Sequence, residues 1–391
     1  MLSNTQKILI VHCYYKIRSG ECVIAHNEVK LLQENGFSAE LFTLDNNKNV
    51  LLTFFSVLIA PFNIFSFFKV YKKVKQFKPD IVHVHNWYFT ISPAVFIATR
   101  LLKVRTIYSL HNYRLLCPSA TLFFKDKLFL NSVNQKFPIQ AVIKRVYKNS
   151  FLLTFWISFI IRLHHLLGTW KKIDCYTVNS VFAKKLFINS YLKLKPEQII
   201  VKSNFNFFEE GINSTHRGNN YLFAGRLSEE KGIIFLLEAA ATMNFNLIII
   251  GEGSLQKKVV EYANKYENIT YLGKQPRTLV LEELCKCKAM IFPSLWFEGM
   301  PLSIIEALQV GTPVISSNVG VMKEMIQHKV NGLLFNPNDI NDFKTALEYF
   351  DTLSANEREL YNKAAYNSFE KNYTPQQNIS QLKKIYFPEN N

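Results

Sequence analysis

Ala289-Met290-Ile291-Phe292-Pro293-Ser294-Leu295-Trp296-Phe297-Glu298-Gly299-Met300-Pro301-Leu302-Ser303-Ile304-Ile305-Glu306-Ala307 is the stretch that decides the fold. Its first four residues are apolar and short, as a parallel strand buried on both faces requires. Pro293 and Ser294 close that strand, and Leu302 to Val310 read as a helix that Gly311 ends before the next strand, Pro313 to Ser316. One glutamate, Glu298, therefore sits on the loop at a strand's carboxyl end, and the other, Glu306, just inside the following helix. Open α/β sheets bind ligands in that crevice. A carboxylate accepts two hydroxyl hydrogen bonds at once, which suits a sugar or a ribose. Taken alone, the pair reads more readily as two solvated charges stabilised by a helix dipole.

A second cluster upstream shifts the balance. Tyr221-Leu222-Phe223-Ala224-Gly225-Arg226-Leu227-Ser228-Glu229-Glu230-Lys231-Gly232 reads as strand, turn and helix start, with the helix running from Gly232 to Ala240. Arg226 and Lys231 flank the turn beside amides at a helix N-terminus, a place that attracts a diphosphate. A third strand, Asn246 to Ile250, ends in another glycine loop, Gly251-Glu252-Gly253-Ser254. Each loop alone is a common feature; together they point to a carbohydrate-diphosphate site.

Strands expected near 221, 246, 269, 289, 313 and 333 build one doubly wound sheet in the second half. In the first half, strands are expected at Lys7–His12, Ala39–Thr43, Asp80–His85, Thr106–Leu110 and Cys175–Asn179, with a helix over Glu21–Gln33. The polar stretch Glu209–Asn220 reads as a linker, and Pro375–Tyr386 as a short amphipathic helix.

Gly225-Arg226-x-x-x-x-Lys231-Gly232, the Gly251 loop and Glu298-x7-Glu306, in that order, resemble the donor domain of the family-4 retaining glycosyltransferases, and the resemblance extends over nearly the whole chain. It implies the GT-B fold: two Rossmann-like α/β domains facing a central cleft, an acceptor-binding domain over 1–208, a nucleotide-sugar-binding domain over 209–372, and a terminal helix over 373–391 packing back on the first domain. It implies that Arg226 and Lys231 neutralise the donor diphosphate, that Glu306 holds the ribose and that Glu298 holds the transferred sugar. Where many members have Pro-Phe-Gly after the first glutamate, this chain has Gly299-Met300-Pro301, a version that also occurs in the family. Pro301 has no N–H to donate, so the amides of Met300 and Leu302 are expected to serve.

In the first half, Arg18-Ser19-Gly20-Glu21 resembles the family's glycine-rich loop, with Ser19 replacing one glycine, which leaves Gly20 as the donor-binding position. His111 matches the family's active-site histidine and is expected to act in catalysis with Glu298, Arg226 and Lys231. His85 is expected to meet the acceptor and His83 to lie in the core. Arg114 is expected either to hold an acidic acceptor group or to lie at the surface. Asn179, Ser180 and Asn204 are weaker contacts to donor or acceptor. Cysteines that some relatives carry after Phe124-Lys125-Asp126 are absent, and no metal or other cofactor is expected.

Charge is distributed unevenly over the 391 residues: 1–200 carry 27 Lys+Arg and 9 Asp+Glu, a net of +18, against −2 for the rest. The first half must meet something acidic. No helix-turn-helix, zinc-finger or RNP motif marks it for nucleic acid. Basic residues instead alternate with aromatic-rich apolar stretches, Leu51–Phe68 and Phe151–Leu167, which fits an anionic membrane surface or a lipid-diphosphate acceptor. Pro61 and Asn63 break the first stretch, and Arg162, His164 and His165 interrupt the second, so neither is expected to span a bilayer; burial inside the domain is the other reading. The polar start Met1–Gln6 shows no secretory signal, and six scattered cysteines without zinc spacing fit reduced thiols in the cytoplasm.

The expected activity is transfer of a hexose-type sugar from a UDP- or GDP-sugar to a lipid-linked or polysaccharide acceptor, for lipopolysaccharide, O-antigen or capsule synthesis on the cytoplasmic face of the membrane. Two other readings stand beside it: a nucleotide-sugar epimerase or phosphorylase on the same fold, and a non-catalytic basic membrane-surface protein.

Overall fold

A computed structural model describes residues 6–15, 20–46, 49–207 and 217–388. Arg18 and Ser19, and much of the expected linker, lie outside the described residues. The chain divides into two compact units: Met1–Leu122 with Leu130–Asn204 and Pro375–Asn391, and Phe123–Phe129 with Phe205–Thr374. The boundaries thus fall at 204/205 and 374/375 rather than at 208/209 and 372/373, and a short hairpin from the first half groups with the second unit.

The strands are β1 (Lys7–Tyr14), β2 (Ser38–Asp45), β3 (Ile81–Asn86), β4 (Arg105–Ser109), the hairpin β5 (Phe123–Phe124) and β6 (Lys127–Leu128), β7 (Cys175–Val178), β8 (Ile199–Val201), β9 (Tyr221–Ala224), β10 (Leu247–Ile250), β11 (Ile269–Gly273), β12 (Ala289–Phe292), β13 (Val314–Ser317) and β14 (Gly332–Phe335). The sheet of the first unit is parallel with order β2-β1-β3-β4-β7-β8. Strand order reverses at β1/β3, which opens a crevice at the carboxyl ends of those two strands. The second sheet is parallel with order β11-β10-β9-β12-β13-β14, and its reversal lies between β9 and β12. β1 and β12 are buried along nearly their whole length, as strands covered by helices on both faces must be.

In the second unit, Phe223, Ile249, Ile291 and Ile315 from the strands meet Leu236, Leu237, Phe343 and Phe350 from helices Ile233–Met243 and Ile340–Thr352 in one apolar core. In the first unit, the terminal helix Pro375–Tyr386 is tied down at both ends. Asn378 Nδ2 donates to Ser203 O at 2.7 Å, and Arg105 Nη2 to Ile385 O at 3.1 Å. Among the described residues no helix is long and apolar enough to cross a membrane.

Candidate active site

The second unit's reversal point is built by glycines. Gly251 has φ +148°, and a Cβ there would come within 1.8 Å of the Gly225 carbonyl oxygen, so the loops after β9 and β10 can cross only with glycine at 251. Gly225 N donates to Ile250 O and Gly251 N to Gly273 O, so these two amides serve loop packing. Gly251, expected to contact the donor, is held by β11: its N donates to Gly273 O and its O accepts from Tyr271 Oη at 2.9 Å. Gly232, at φ +69°, likewise lets the β9 loop pass the Pro293 carbonyl, and a 3-10 turn, Glu229–Lys231, precedes the helix, which begins at Ile233 rather than Gly232.

That crossing carries Lys231 to the loop after β12. Lys231 Nζ lies 2.6 Å from Glu298 Oε1, and the same oxygen accepts from Ser294 Oγ at 2.7 Å and from Trp296 Nε1 at 2.6 Å. The ammonium also lies over the Phe292 and Trp296 rings, 5.3 and 5.7 Å from their centroids. Glu298 and Met300 are buried, and Pro301 caps helix Leu302–Gln309. Within that helix, Glu306 Oε1 accepts from Arg277 Nε at 2.8 Å. Arg226 is exposed, with Nη1 3.8 Å from Glu230 Oε1. Cationic side chains thus stand beside both glutamates of the Glu298-x7-Glu306 pair.

Sequence reasoning missed Arg277, Ser294 and Trp296. Ser294 and Trp296 stand in the decisive stretch itself, and their donors at −4 and −2 from Glu298 were a usable signal. Arg277 begins the helix after β11, and nothing local connects it to Glu306.

At the first unit's reversal point, helix Gly20–Glu34 buries Ile24, Ala25, Glu28, Leu31 and Leu32 on one face. A carboxylate in that apolar stripe needs a partner, and Lys202 Nζ supplies it at Glu28 Oε1. Burial alone would raise the Glu28 pKa; the Lys202 ammonium, then His85 and His83, outweigh it and hold the carboxyl well below its usual range. Glu28 Oε2 lies 3.2 Å from His85 Nε2 and 3.6 Å from His83 Nδ1. His85 Nδ1 lies 3.0 Å from His111 Nε2. His83 completes the interior through Tyr386 Oη and Ser109 Oγ, each at 2.8 Å. Burial and then His85 push His111 well below the ordinary imidazole value, and burial with the neighbouring histidines 85 and 26 brings His12 down to about 3.

Glu28, His83 and His85 place three ligand-type atoms within 4.8 Å of one another. Lys202 occupies one Glu28 oxygen, and Tyr386 and Ser109 engage both His83 nitrogens, so this donor set is engaged by the protein itself.

His85, expected to meet the acceptor, is 2% exposed and lies between Glu28 and His111. Arg114 is not a surface residue: it is buried, with its guanidinium 3.6 Å from the Tyr88 ring centroid and Nη1 donating to Pro118 O at 3.4 Å. Its cation supports the loop that carries His111, which favours a packing role over acceptor binding. Beside it, Glu21 Oε1 accepts from Asn112 Nδ2 at 3.0 Å. Gly20 starts the first helix, and Ser180 caps helix Val181–Ile188 by accepting from Ala183 N. Asn179 and Asn204 are buried.

Residues 23–204 match the family model Glycosyltransferase Family 4, and residues 204–370 match Glycosyl transferases group 1. Over 218 residues the chain is 27% identical to an uncharacterised glycosyltransferase of Methanocaldococcus jannaschii, covering 52% of this chain and 59% of that one. It is 34% identical over 152 residues to the lipopolysaccharide 1,6-galactosyltransferase of Escherichia coli, covering 36% and 41%. It is 32% identical over 145 residues to an Escherichia coli UDP-Gal:alpha-D-GlcNAc-diphosphoundecaprenol alpha-1,3-galactosyltransferase, covering 33% and 36%. The match therefore spans about six-tenths or less of these relatives' lengths. Among solved structures, Anabaena HepE in complex with UDP and glucose superposes with a TM-score of 0.64 at 16% identity, covering 98% of this chain and all of that one.

Proposed function

We propose, from the premise that this chain belongs to the family-4 glycosyltransferases of GT-B fold, that it transfers a hexose-type sugar from a nucleotide-diphosphate sugar to a hydroxyl of a lipid-linked or polysaccharide acceptor, with retention of anomeric configuration, in the synthesis of a bacterial surface glycan. The observation that carries this reading is the Lys231–Glu298 pair at the β9/β12 reversal, flanked by Arg226 and followed on the next helix by Arg277–Glu306. A nucleotide-diphosphate sugar offers groups of both signs to such a site: phosphates for the cations, and ribose and hexose hydroxyls for the carboxylates.

Negative charge grows on the leaving diphosphate as the glycosidic bond breaks. Arg226 and Lys231 stabilise that charge, which is electrostatic catalysis that draws on protein cations instead of a metal ion. Glu298 is a poor nucleophile, because three donors already share its Oε1. This supports attack on the same face as the departing phosphate over a covalent glycosyl-enzyme. His111 acts at the transferred sugar.

The same reading extends to the membrane. In the first unit, helices Val50–Leu58, Ile64–Phe77 and Phe151–Leu166 present Phe55, Phe65, Phe68, Phe151, Leu152 and Phe155 to solvent; Phe65 and Phe68 are 60% exposed and Leu152 76%. Trp156 Nε1 donates to Val57 O at 2.7 Å, which ties helix Phe151–Leu166 to helix Val50–Leu58. Exposed Lys69, Lys72, Lys144, Arg145 and Lys148 lie on or beside the same helices. Aromatic residues beside exposed cations suit an anionic bilayer surface, where a lipid-linked acceptor is anchored.

The test uses full-length protein, a chelator, UDP- and GDP-hexoses and a lipid-diphosphate acceptor. Metal-independent transfer that Arg226→Ala and Glu306→Ala each abolish, with thermal unfolding unchanged, supports the reading. Undiminished transfer in both variants removes the site assignment, and conversion of donor alone into an isomer makes the protein an epimerase.

A further inference from the structure

The interior of the first unit holds a chain of polar atoms that ends at His111: Lys202 on Glu28 Oε1, Glu28 Oε2 at 3.2 Å from His85 Nε2, and His85 Nδ1 at 3.0 Å from His111 Nε2. We infer that Glu28, acting through His85, is a positioning residue that fixes His111 as the neutral tautomer carrying its proton on Nε2 and leaving Nδ1 bare. The inference rests on the reading of His111 as the histidine that acts at the transferred sugar.

The proton assignment follows from chemistry one link at a time. An ionised carboxylate can only accept, so the His85 nitrogen facing it must carry a proton. The two atoms lie 3.2 Å apart and neither has a hydrogen-bond partner elsewhere, so each is the other's nearest means of satisfaction in the interior. Lys202 already neutralises Glu28, and a second positive charge on His85 would be uncompensated where no water reaches it. With the proton on Nε2 facing Glu28, Nδ1 is the acceptor that faces His111. His111 Nε2, 3.0 Å away, must be the donor, and neutral His111 has no second proton for Nδ1.

The other titratable groups facing the chain leave this order intact. His83 contacts Glu28 Oε2 at 3.6 Å, but its nitrogens are engaged by Tyr386 of the terminal helix and Ser109 of β4. His12 of β1 directs Nε2 to Cys22 Sγ at 3.3 Å. Burial keeps both imidazoles neutral at pH 7. The bare Nδ1 of His111 is then an acceptor for a hydroxyl.

The test is nitrogen NMR of full-length protein labelled at histidine, between pH 6 and 8 and without substrate. His111 is expected as the Nε2–H tautomer throughout, and His85 as a neutral ring. His111 protonated on Nδ1, or His85 doubly protonated, overturns the inference. In His85→Asn the His111 signal is expected to become a mixture of tautomers, with kcat falling about ten- to a hundredfold, the scale seen when the orienting partner of a metal-bound histidine is removed, and KM for the nucleotide sugar unchanged. A fixed His111 tautomer in that variant, or an unchanged kcat, also overturns it. If His85→Asn does not fold, the wild-type spectrum alone decides. Because the spectra need no sugar donor, a failure here is distinct from a failure of sugar transfer.

Discussion

The two sheets each place a lysine–glutamate pair at the point where strand order reverses, yet the pairs live in different surroundings. Glu28 and Lys202 in the first unit have side chains 0 and 1% exposed, whereas Lys231 and Glu298 in the second are 14 and 7% exposed, on loops at strand ends. A sealed pair can exchange neither partner, so its role is to hold neighbouring rings in one arrangement. A pair at the rim can part, the lysine turning to a phosphate and the carboxylate to hydroxyls. The same two residue types thus act as a fixed orienting device in one unit and as ligand-binding groups in the other.

The largest effect that tests this difference is on activity in the second unit. Lys231→Ala is expected to lower kcat/KM for the nucleotide sugar by about a thousandfold, the scale of removing one fixed electrostatic donor. Loss of stability should be part of the phenotype, since Glu298 is left with two neutral donors. The double variant Lys231→Met with Glu298→Gln should regain stability and no activity. Activity returning with stability would make the pair structural, like its counterpart in the first unit.

Next comes the sealed pair. Glu28→Ala strands the Lys202 ammonium in the interior and is expected to destabilise the first unit by about 3–5 kcal/mol, read by urea unfolding. Glu28→Gln combined with Lys202→Met removes both charges and should lie within about 1–2 kcal/mol of wild type, since a buried ion pair replaced by neutral groups is often nearly neutral. A double variant as unstable as the single one would show that shape, not charge, is what Glu28 supplies.

How much of this was legible in the sequence divides along the same line. The six strands of the second sheet were readable because each is a short apolar run bounded by turn residues, and Pro375–Tyr386 because its amphipathic period is clean. Ile199–Val201 was missed because three residues carry no period, and the β5–β6 hairpin because Lys125 and Asp126, both at positive φ, form its turn without glycine. Lys231, Glu298 and Glu306 were visible as a motif, but their pairing with one another and with Arg277 is a tertiary fact. Glu28 and Lys202 stand 174 positions apart. The available sign was a carboxylate among Ile24, Ala25, Leu31 and Leu32 on one helix face, which states that a partner exists without saying where.

A smaller effect separates the units by pH. All five buried histidines among the described residues, 12, 83, 85, 111 and 164, belong to the first unit. His12 has a folded value of about 3 against an ordinary 6.5, so between those values the unfolded chain binds a proton that the folded one refuses. Stability contributed by His12 is therefore complete above about pH 6.5 and falls by up to about 1.4 kcal/mol for each pH unit below it, until pH approaches 3. The urea midpoint of the first unit should fall from pH 7 to pH 4.5, and His12→Phe should flatten that slope. A slope identical in the variant would place the acid sensitivity in other groups.

The smallest effect is expected at the exposed contact between Arg226, on the loop after β9, and Glu230, in the 3-10 turn that follows, 3.8 Å apart. Exposed pairs of this kind contribute under about 1 kcal/mol, so Glu230→Gln should leave stability within about 0.5 kcal/mol of wild type. Ser228 Oγ, which donates to Glu230 Oε1 at 2.6 Å, retains an amide oxygen as its acceptor. Function should respond in the opposite sense to Lys231→Ala. Removing a negative charge beside Arg226 leaves the guanidinium freer for a diphosphate, and KM for the nucleotide sugar should fall by about two- to fivefold, an amount worth under 1 kcal/mol. The gain should shrink at high salt, because screening weakens an exposed charge. A KM that rises would mean that Glu230 itself holds the ligand, and the cation at 226 would lose its place in the site.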